Sequence, residues 1–329
     1  MNRIGWLLAA LMMAALVPIV LGGGELLPRL QNFPPGLLLA LLGMIVMCWS
    51  LNALRLRLLL RSQGERIGRL RSLGVIMATE FAICTTPGGS GGPLTLMALL
   101  ARDRIRPAHS GAVFAMDQLN DLLFFLCAVL GIVVYTLFHS FNRSLEGLLI
   151  GTALTMLGAL ALGLALLRWR RGLMRGNGRL LGKLGVRPAT CRRWARRLLQ
   201  FFRAFNATLR LPRRILALVF ALTCVHWALR YSVLYLVVVG LGGNLQWVSS
   251  FLVQVLSLSA GQFSLLPGGA GAAELTSAAL LTPMVGKSTA AAAVLVWRGV
   301  TYYFYLVAGG PVFFCLLGRP LLQHIGSRR

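Results

Sequence analysis

The sequence is poor in acidic residues and in charge of any kind. Only 8 of its 329 residues are Asp or Glu, and 12% are charged, whereas soluble domains carry about 25%. So few charges cannot cover a soluble domain of this length, and a hydrophobic content of 57% is incompatible with a disordered chain. An ordinary soluble enzyme and an intrinsically disordered protein are therefore excluded.

The chain also lacks a cysteine framework. Five of its six cysteines lie in apolar stretches, and the sixth, Cys191, lies in a basic segment. No two of them have CxxC spacing and none stands near a pair of histidines, so neither a disulfide scaffold nor a zinc site is expected. We expect no metal and no cofactor.

Long apolar runs, with basic residues between them, are what the sequence does contain. The 33 Lys and Arg give a net charge of +25, and their position between apolar runs is typical of a multi-pass membrane protein. We predict an all-α integral membrane protein with about six transmembrane helices, near residues 4–21, 36–54, 108–138, 147–167, 215–239 and 288–317. The first run also resembles a signal peptide, but no A-x-A cleavage site follows it, which favours a retained first helix.

Two further apolar stretches are interrupted by glycine-rich turns. Residues 72–101 break at Pro87-Gly88-Gly89-Ser90-Gly91-Gly92-Pro93, and residues 246–282 break at Pro267-Gly268-Gly269-Ala270-Gly271. Irregular backbone is tolerated inside a membrane only where protein or a wet cavity satisfies its amides and carbonyls. We interpret both stretches as re-entrant helix hairpins that turn back near mid-membrane. The alternative is a proline-kinked helix that crosses the membrane fully.

The distribution of basic residues favours the re-entrant interpretation. If the N-terminus is cytoplasmic and both hairpins are re-entrant, the outside receives only Arg29, Arg143 and Lys287. Arg230 and Arg298 lie within spans, and all remaining Lys and Arg are cytoplasmic, as the positive-inside rule requires. Full crossings would weaken this asymmetry. We therefore predict a bacterial inner-membrane protein whose N- and C-termini are both cytoplasmic.

The two interrupted stretches belong to an internal repeat. An ungapped shift of 180 residues aligns Pro87, Gly88, Gly89 and Gly91 with Pro267, Gly268, Gly269 and Gly271. Because the first hairpin would enter from the cytoplasm and the second from outside, the repeat is inverted. Many secondary transporters have this construction and bind substrate between the repeats near the midplane. We divide the chain into a first membrane half (1–168), a cytoplasmic basic linker with an amphipathic helix (169–213) and a second membrane half (214–329).

Ionisable residues at membrane depth are the first candidates for a binding site. An acid or an arginine at the centre of a membrane helix costs about 2.5–3.5 kcal/mol, so each needs a partner or a function. The candidates are Glu80, Asp117, Asp121, Arg230, Glu274 and Arg298. The acids would bind a cationic head group or take up protons, and Arg298 would bind phosphate. The structural alternative is that Arg298 and Glu274 pair with each other, and that Asn or backbone groups cap Asp117 and Asp121.

The proline-glycine turns are the second candidates. Each turn precedes a short helix whose N-terminus would point to mid-membrane, where free amides and the helix dipole suit an anion such as phosphate. We therefore expect substrate contacts at Pro87, Gly88 and Gly89, and at Pro267, Gly268 and Gly269. The alternative is that the glycines only allow the chain to turn.

Residues 191–210 predict an amphipathic helix. Its aromatic and leucine side chains share one face, and most of its arginines lie on the other. This arrangement is typical of a helix at the surface of an anionic leaflet. We expect it to bind the cytoplasmic leaflet and not nucleic acid.

Catalytic motifs are incomplete. Gly286-Lys287-Ser288 resembles the end of a P-loop, but Leu281 occupies the position of the first glycine. Asp117 and Asp121 resemble one aspartate motif of intramembrane prenyltransferases, whereas the matching position in the second half, 297–301, has no acid. We expect a protein that is not an enzyme, and an intramembrane transferase stays open as the alternative.

Two stretches resemble signatures of the lysylphosphatidylglycerol synthase/flippase transmembrane-region family. Residues 86–123, which end in Met116-Asp117-Gln118-Leu119-Asn120-Asp121, are similar to the first signature. Residues 266–309, with the second proline-glycine turn, Glu274 and Trp297-Arg298, are similar to the second. The family commonly has Glu-Arg-x-x-Asp where this chain has Asp117-Gln118 and Asp121.

The resemblance implies a membrane domain that moves lipids between leaflets. Family members that synthesise aminoacyl-phospholipids carry a soluble aminoacyltransferase domain after the membrane part. The 329 residues leave no room for one, so the chain resembles the stand-alone, flippase-like members. We expect transport of a phospholipid or of a related anionic or polyprenyl-linked lipid, with membrane lipids as partners. A non-transporting scaffold for lipid biosynthesis is the further alternative, and homo-oligomerisation stays open.

Overall fold

The computed structural model describes residues 3–138, 188–264 and 266–318, together with five isolated positions between 154 and 165. The predicted span at 147–167, much of the basic linker and residues 319–329 fall outside the described residues. Within them the chain is helical and has no strand. It is an all-α membrane protein in which five helices are long and apolar enough to cross a membrane: Met12–Gln31, Pro35–Ser62, Pro107–Val134, Arg213–Gly240 and Lys287–Leu317.

Twelve α-helices are described, and we number them in chain order. They are α1 (Arg3–Gly22), α2 (Leu26–Gln31), α3 (Pro35–Ser62), α4 (Arg69–Thr85), α5 (Gly91–Arg102), α6 (Pro107–Phe138), α7 (Pro188–Leu209), α8 (Arg213–Gly240), α9 (Trp247–Gln262), α10 (Ala272–Val285), α11 (Lys287–Arg298) and α12 (Phe304–Phe313). One 3-10 turn, Gly23–Glu25, joins α1 to α2, and π turns follow α11 at Gly299–Tyr303 and α12 at Phe314–Gly318.

Helix α3 is longer than the sequence indicated. The predicted span ended at residue 54, but the helix continues to Ser62 and places Arg55 within it. Leucine and arginine, which alternate after residue 54, are both strong helix formers, so the charged residues do not interrupt the helix. The chain leaves the helix after Ser62, and φ is +76° at Gly64. The amides of Gly64 and Glu65 bond back to the carbonyls of Arg61 and Leu60, as in a Schellman motif.

Both interrupted stretches form helix hairpins. Helix α4 packs against α5, and α9 packs against α10. The turns have matching backbones: φ is +57° and +68° at Gly88 and Gly89, and +65° and +69° at Gly268 and Gly269. Glycine adopts these angles without the penalty that a Cβ atom brings.

The structure repeats with the period found in the sequence. Adding 180 to the bounds of α6 gives 287 and 318, and the segment of α11, α12 and their π turns begins at Lys287 and ends at Gly318. The equivalent prolines of the two turns, Pro87 and Pro267, form an antiparallel β-bridge. An antiparallel contact between equivalent residues is what a two-fold relation between the copies produces.

The chain divides into two compact units. The first unit comprises Met1–Leu54, Ile67–Asp103 and Val225–Arg329, and the second comprises Arg55–Arg66 and Arg104–Cys224. The first unit therefore contains both hairpins. The division into sequence halves at 168 and 213 follows the repeat in chain order and stays a prediction.

Small residues allow close packing in the first unit. Ala290–Ala293 are all fully buried in α11, which packs against α1 and α10. Helix α12 packs against α4, where a Cβ atom at Gly309 would lie 2.8 Å from the carbonyl oxygen of Met77. Small side chains at such contacts let helix backbones approach each other, which is how helices associate inside membranes.

We predict different costs for the same substitution at equivalent turn positions. In Gly268→Ala the new Cβ would lie 2.1 Å from Cε2 of the buried Tyr302, whereas in Gly88→Ala its nearest neighbour is the carbonyl oxygen of Gln262 at 3.5 Å. Both variants incur about 1–2 kcal/mol of backbone strain, and Gly268→Ala adds about 1–3 kcal/mol of overpacking. Thermal unfolding of the purified variants should show the larger loss for Gly268→Ala. Equal losses would contradict this account of the turn.

Candidate functional site

The ionisable residues at membrane depth form three groups. The Glu274 group (Glu274 and Arg298) and the Arg230 group (Glu80, Arg230 and Tyr305) belong to the first unit. The Arg55 group (Arg55, Asp117 and Asp121) belongs to the second. All of the acids and arginines that the sequence singled out lie in one of these groups.

The Glu274 group is a buried ion pair. Nε of Arg298 lies 2.5 Å from Oε1 of Glu274, and the two side chains are 3% and 0% exposed. The second carboxylate oxygen accepts a hydrogen bond of 2.6 Å from the amide of Gly271. Glu274 stands in the first turn of α10, where a negative charge also compensates the helix dipole.

Arg298 and Tyr302 hold the second hairpin turn from one helical segment. Nη2 of Arg298 donates to the carbonyl of Gly268 at 3.1 Å, and the Tyr302 hydroxyl donates to the carbonyl of Pro267 at 3.4 Å. The guanidinium lies 4.4 Å from the centre of the Tyr302 ring. Two turn carbonyls at the tip of the hairpin are thus satisfied by side chains four residues apart, which share a helix face.

This geometry bears directly on the predicted anion sites at the turns. At the second turn the carboxylate of Glu274 already binds the amide that precedes α10. At the first turn the amide of Gly91 donates to Oγ1 of Thr86 at 2.8 Å. The amides of Gly89, Ser90 and Gly92 donate to nearby turn carbonyls. In both hairpins, acceptors from the chain itself therefore occupy turn amides that would otherwise bind an anion.

The two turns differ in exposure although their backbones match. Pro87, Gly88 and Ser90 are exposed, whereas Pro267 and Gly269 are buried. By the shift of 180, Gln118 and Leu122 stand where the second copy has Arg298 and Tyr302. Neither can supply the charge that Arg298 brings to its turn. The first turn is the more accessible of the two.

The Arg230 group links α4, α8 and α12. Arg230 donates a hydrogen bond to the Tyr305 hydroxyl, and its guanidinium lies 5.1 Å from the centre of that ring. Glu80 is close enough for its charge to interact with that of Arg230. The edge of Tyr305 meets Trp49 of α3, with the ring centres 5.1 Å apart. Glu80 of the first hairpin thus interacts with Arg230 of α8.

The Arg55 group contains a charged residue that was absent from the candidates named from the sequence. Nη2 of Arg55 lies 2.6 Å from Oδ1 of Asp117 and 2.9 Å from Oδ1 of Asp121. The predicted span ended just before Arg55, whereas α3 continues through it and its side chain is only 1% exposed. Two aspartates four residues apart on an apolar helix need a positively charged partner. That need was the signal in the sequence that could have led to Arg55.

The aspartates of this group are only partly covered. Asp117 is 36% exposed and Asp121 is 19% exposed, although both contact the buried arginine. Asn120 does not cap them, since its side chain donates to the carbonyl of Met116 at 2.8 Å. The group thus combines a fixed cation with carboxylates that a ligand can reach. No three His, Cys, Asp or Glu side chains come together as a metal site in the described part of the chain.

We predict that the Glu274–Arg298 pair is needed as a unit. Either Arg298→Met or Glu274→Gln leaves one buried charge unpaired and should destabilise the protein by about 3–5 kcal/mol. The double variant removes both charges and should be more stable than at least one single variant. Thermal unfolding measures all three, and additive losses would contradict the pairing.

The Arg71–Asp103 pair provides the matched control. Nε of Arg71 lies 3.1 Å from Asp103 Oδ2, and the side chains are 30% and 24% exposed. Because solvent screens this pair, Arg71→Met and Asp103→Asn should each cost about 1 kcal/mol or less.

Comparisons with known proteins agree with this architecture. The profile of the family described as "Lysylphosphatidylglycerol synthase TM region" matches residues 5–309. A UPF0104 membrane protein of Archaeoglobus fulgidus is 25% identical over 269 residues, which are 79% of this chain and 80% of that protein. The residues matched by the family profile include both hairpins and all three ionic groups. The chain belongs to the lysylphosphatidylglycerol synthase transmembrane-region family.

Proposed function

We propose that the protein moves a phospholipid, or a related anionic or polyprenyl-linked lipid, between the leaflets of the membrane. The observation that carries the proposal is the Arg55 group. Its three charged side chains lie on α3 and α6, two helices that are long and apolar enough to cross a membrane. Ionisable residues at such depth mark substrate or proton pathways in many membrane proteins. Membership of the family and the inverted repeat support the same proposal.

In this proposal the carboxylates of Asp117 and Asp121 contact the moving head group or exchange a proton. Among the ion-paired side chains of the Arg55 and Glu274 groups, that of Asp117 is the most accessible, at 36%. Arg55 fixes the position of the two aspartates, since one guanidinium nitrogen contacts both carboxylates. The Glu274–Arg298 pair positions the second hairpin, and the first turn, where Pro87 and Gly88 are exposed and Gly89 is partly buried, offers further contacts to the head group.

A transport measurement tests the proposal. We expect the protein in liposomes to move labelled phospholipids between leaflets. Asp117→Asn and Asp121→Asn should each lower the transport rate at least about tenfold, because each removes one charge-assisted contact. Asp103→Asn is the matched control, since it makes the same chemical change in the half-exposed pair with Arg71 and should keep the rate.

Two results would contradict the proposal. An equal loss in all three variants would remove the Arg55 group from the transport path. Absence of movement with anionic, zwitterionic and polyprenyl lipids would instead favour the intramembrane transferase or the scaffold for lipid biosynthesis. Product formation from lipid substrates then separates those two alternatives.

We further propose that both termini are cytoplasmic, that the membrane is a bacterial inner membrane and that the two hairpins are re-entrant. The positive-inside rule supports this orientation. Helix α7 would lie at the anionic cytoplasmic leaflet, and its residues Arg196, Arg203 and the following Arg210 are exposed. Part of its apolar face packs within the second unit, since Ala204 and Phe205 are buried where α7 contacts α6.

Labelling of single cysteines tests the orientation. In a variant without native cysteines, Arg66→Cys should react with an impermeant maleimide only from the cytoplasmic side, and Lys287→Cys only from the outside. Both positions are exposed, so accessibility does not limit the reaction. Labelling of both positions from one side would contradict the proposed orientation.

A further inference from the structure

A cleft of about 540 Å³ lies at the end of α3, and the proposed function makes no use of it. It is lined by Arg61, Gly64, Glu65 and Arg66, all of the second unit. We call it the α3-end cleft. Because it directly follows the last turn of a candidate membrane span, it lies where the apolar interior gives way to head groups and water.

The walls of the α3-end cleft are held by other helices. The side-chain amide of Gln63 donates to the carbonyl of Ala204 at 2.9 Å and to the Thr208 hydroxyl, both on α7. Oε1 of Glu65 lies 2.9 Å from Nδ1 of His109 at the start of α6. The one carboxylate among the described lining residues is thus engaged by a histidine, and the backbone between Gln63 and Glu65 is fixed on both sides.

Arg61 and Arg66 bring two positive charges to the cleft, whose described lining holds one carboxylate, that of Glu65. None of the ion pairs among the described residues involves Arg61 or Arg66, and both side chains are exposed. One turn earlier on the same face of α3, Nε of Arg57 is buried and has no hydrogen-bond acceptor. With 33 basic residues and 8 acids in the chain, most arginines cannot pair one to one with an acid of the same chain.

We propose that the α3-end cleft binds the phosphate group of a ligand through Arg61 and Arg66. The guanidinium fork matches the oxygens of a phosphate, and two forks in one cleft can hold the group from two sides. Gly64 leaves room for the ligand, since a Cβ atom there would meet nothing within 4 Å. A phospholipid head group and a soluble phosphate ester share this chemistry. The inference does not depend on transport.

The test compares two phosphate monoesters that differ in their tails. Isothermal titration calorimetry of the full chain in a non-ionic detergent is carried out with glycerol 3-phosphate and with dihexanoylphosphatidic acid. We expect Arg61→Gln/Arg66→Gln to weaken the binding at least about tenfold, which corresponds to about 1.4 kcal/mol. Tighter binding of the tailed ligand identifies a lipid head group, and equal binding identifies a soluble phosphate ester.

Control variants distinguish binding at the α3-end cleft from nonspecific attraction of the ligand to a basic protein. Arg69→Gln/Arg213→Gln removes two other exposed arginines and should leave the affinity within about twofold of that of the unmodified protein. Arg61→Lys/Arg66→Lys keeps the charge and should restore part of the affinity lost in the glutamine variant. Absence of binding for both ligands, or an equal loss in the control variant, would overturn the proposal. All variants are checked by thermal unfolding, and the exposed positions predict unchanged stability.

Discussion

Polar backbone inside an apolar helix bundle must find its partners within the chain, and the second hairpin turn meets this constraint through a single buried ion pair. Arg298 donates to the carbonyl of Gly268, and its partner Glu274 accepts the amide of Gly271. The pair therefore satisfies a carbonyl and an amide on the two sides of the turn. Neither charge could be buried alone, because an unpaired buried charge is strongly destabilising.

The inverted repeat keeps its symmetry in the backbone and loses it in the side chains. The positive φ angles recur at both turns because glycine occupies the equivalent positions. Pro87 and Pro267 form an antiparallel bridge because the two turns run in opposite directions. The charges do not recur, because Gln118 stands where the second copy has Arg298. One turn is consequently fixed by an ion pair and buried, while the other is exposed.

Helix α3 shows how the scarcity of acids divides the roles of the arginines. At the depth of the apolar core, Arg55 pairs with Asp117 and Asp121. At the end of the same helix, Arg61 lines a cleft whose described carboxylate, Glu65, contacts His109. The chain has only 8 acids, and those at membrane depth are engaged by arginines, which leaves few acids for the arginines at the helix end.

The sequence by itself determined the class of the protein, the positions of the helices and the two glycine turns, because hydrophobic run length and proline-glycine punctuation are local properties. It also identified every acid of the three ionic groups, since a charge in an apolar run is visible without a structure. Only the tertiary structure decided which charges meet. Arg55 and Asp117 are 62 residues apart. The predicted end of the span at residue 54 excluded Arg55 from the membrane, whereas helix α3 continues through its charged end to Ser62. Pairing depends on how helices pack, and distance along the chain does not encode it.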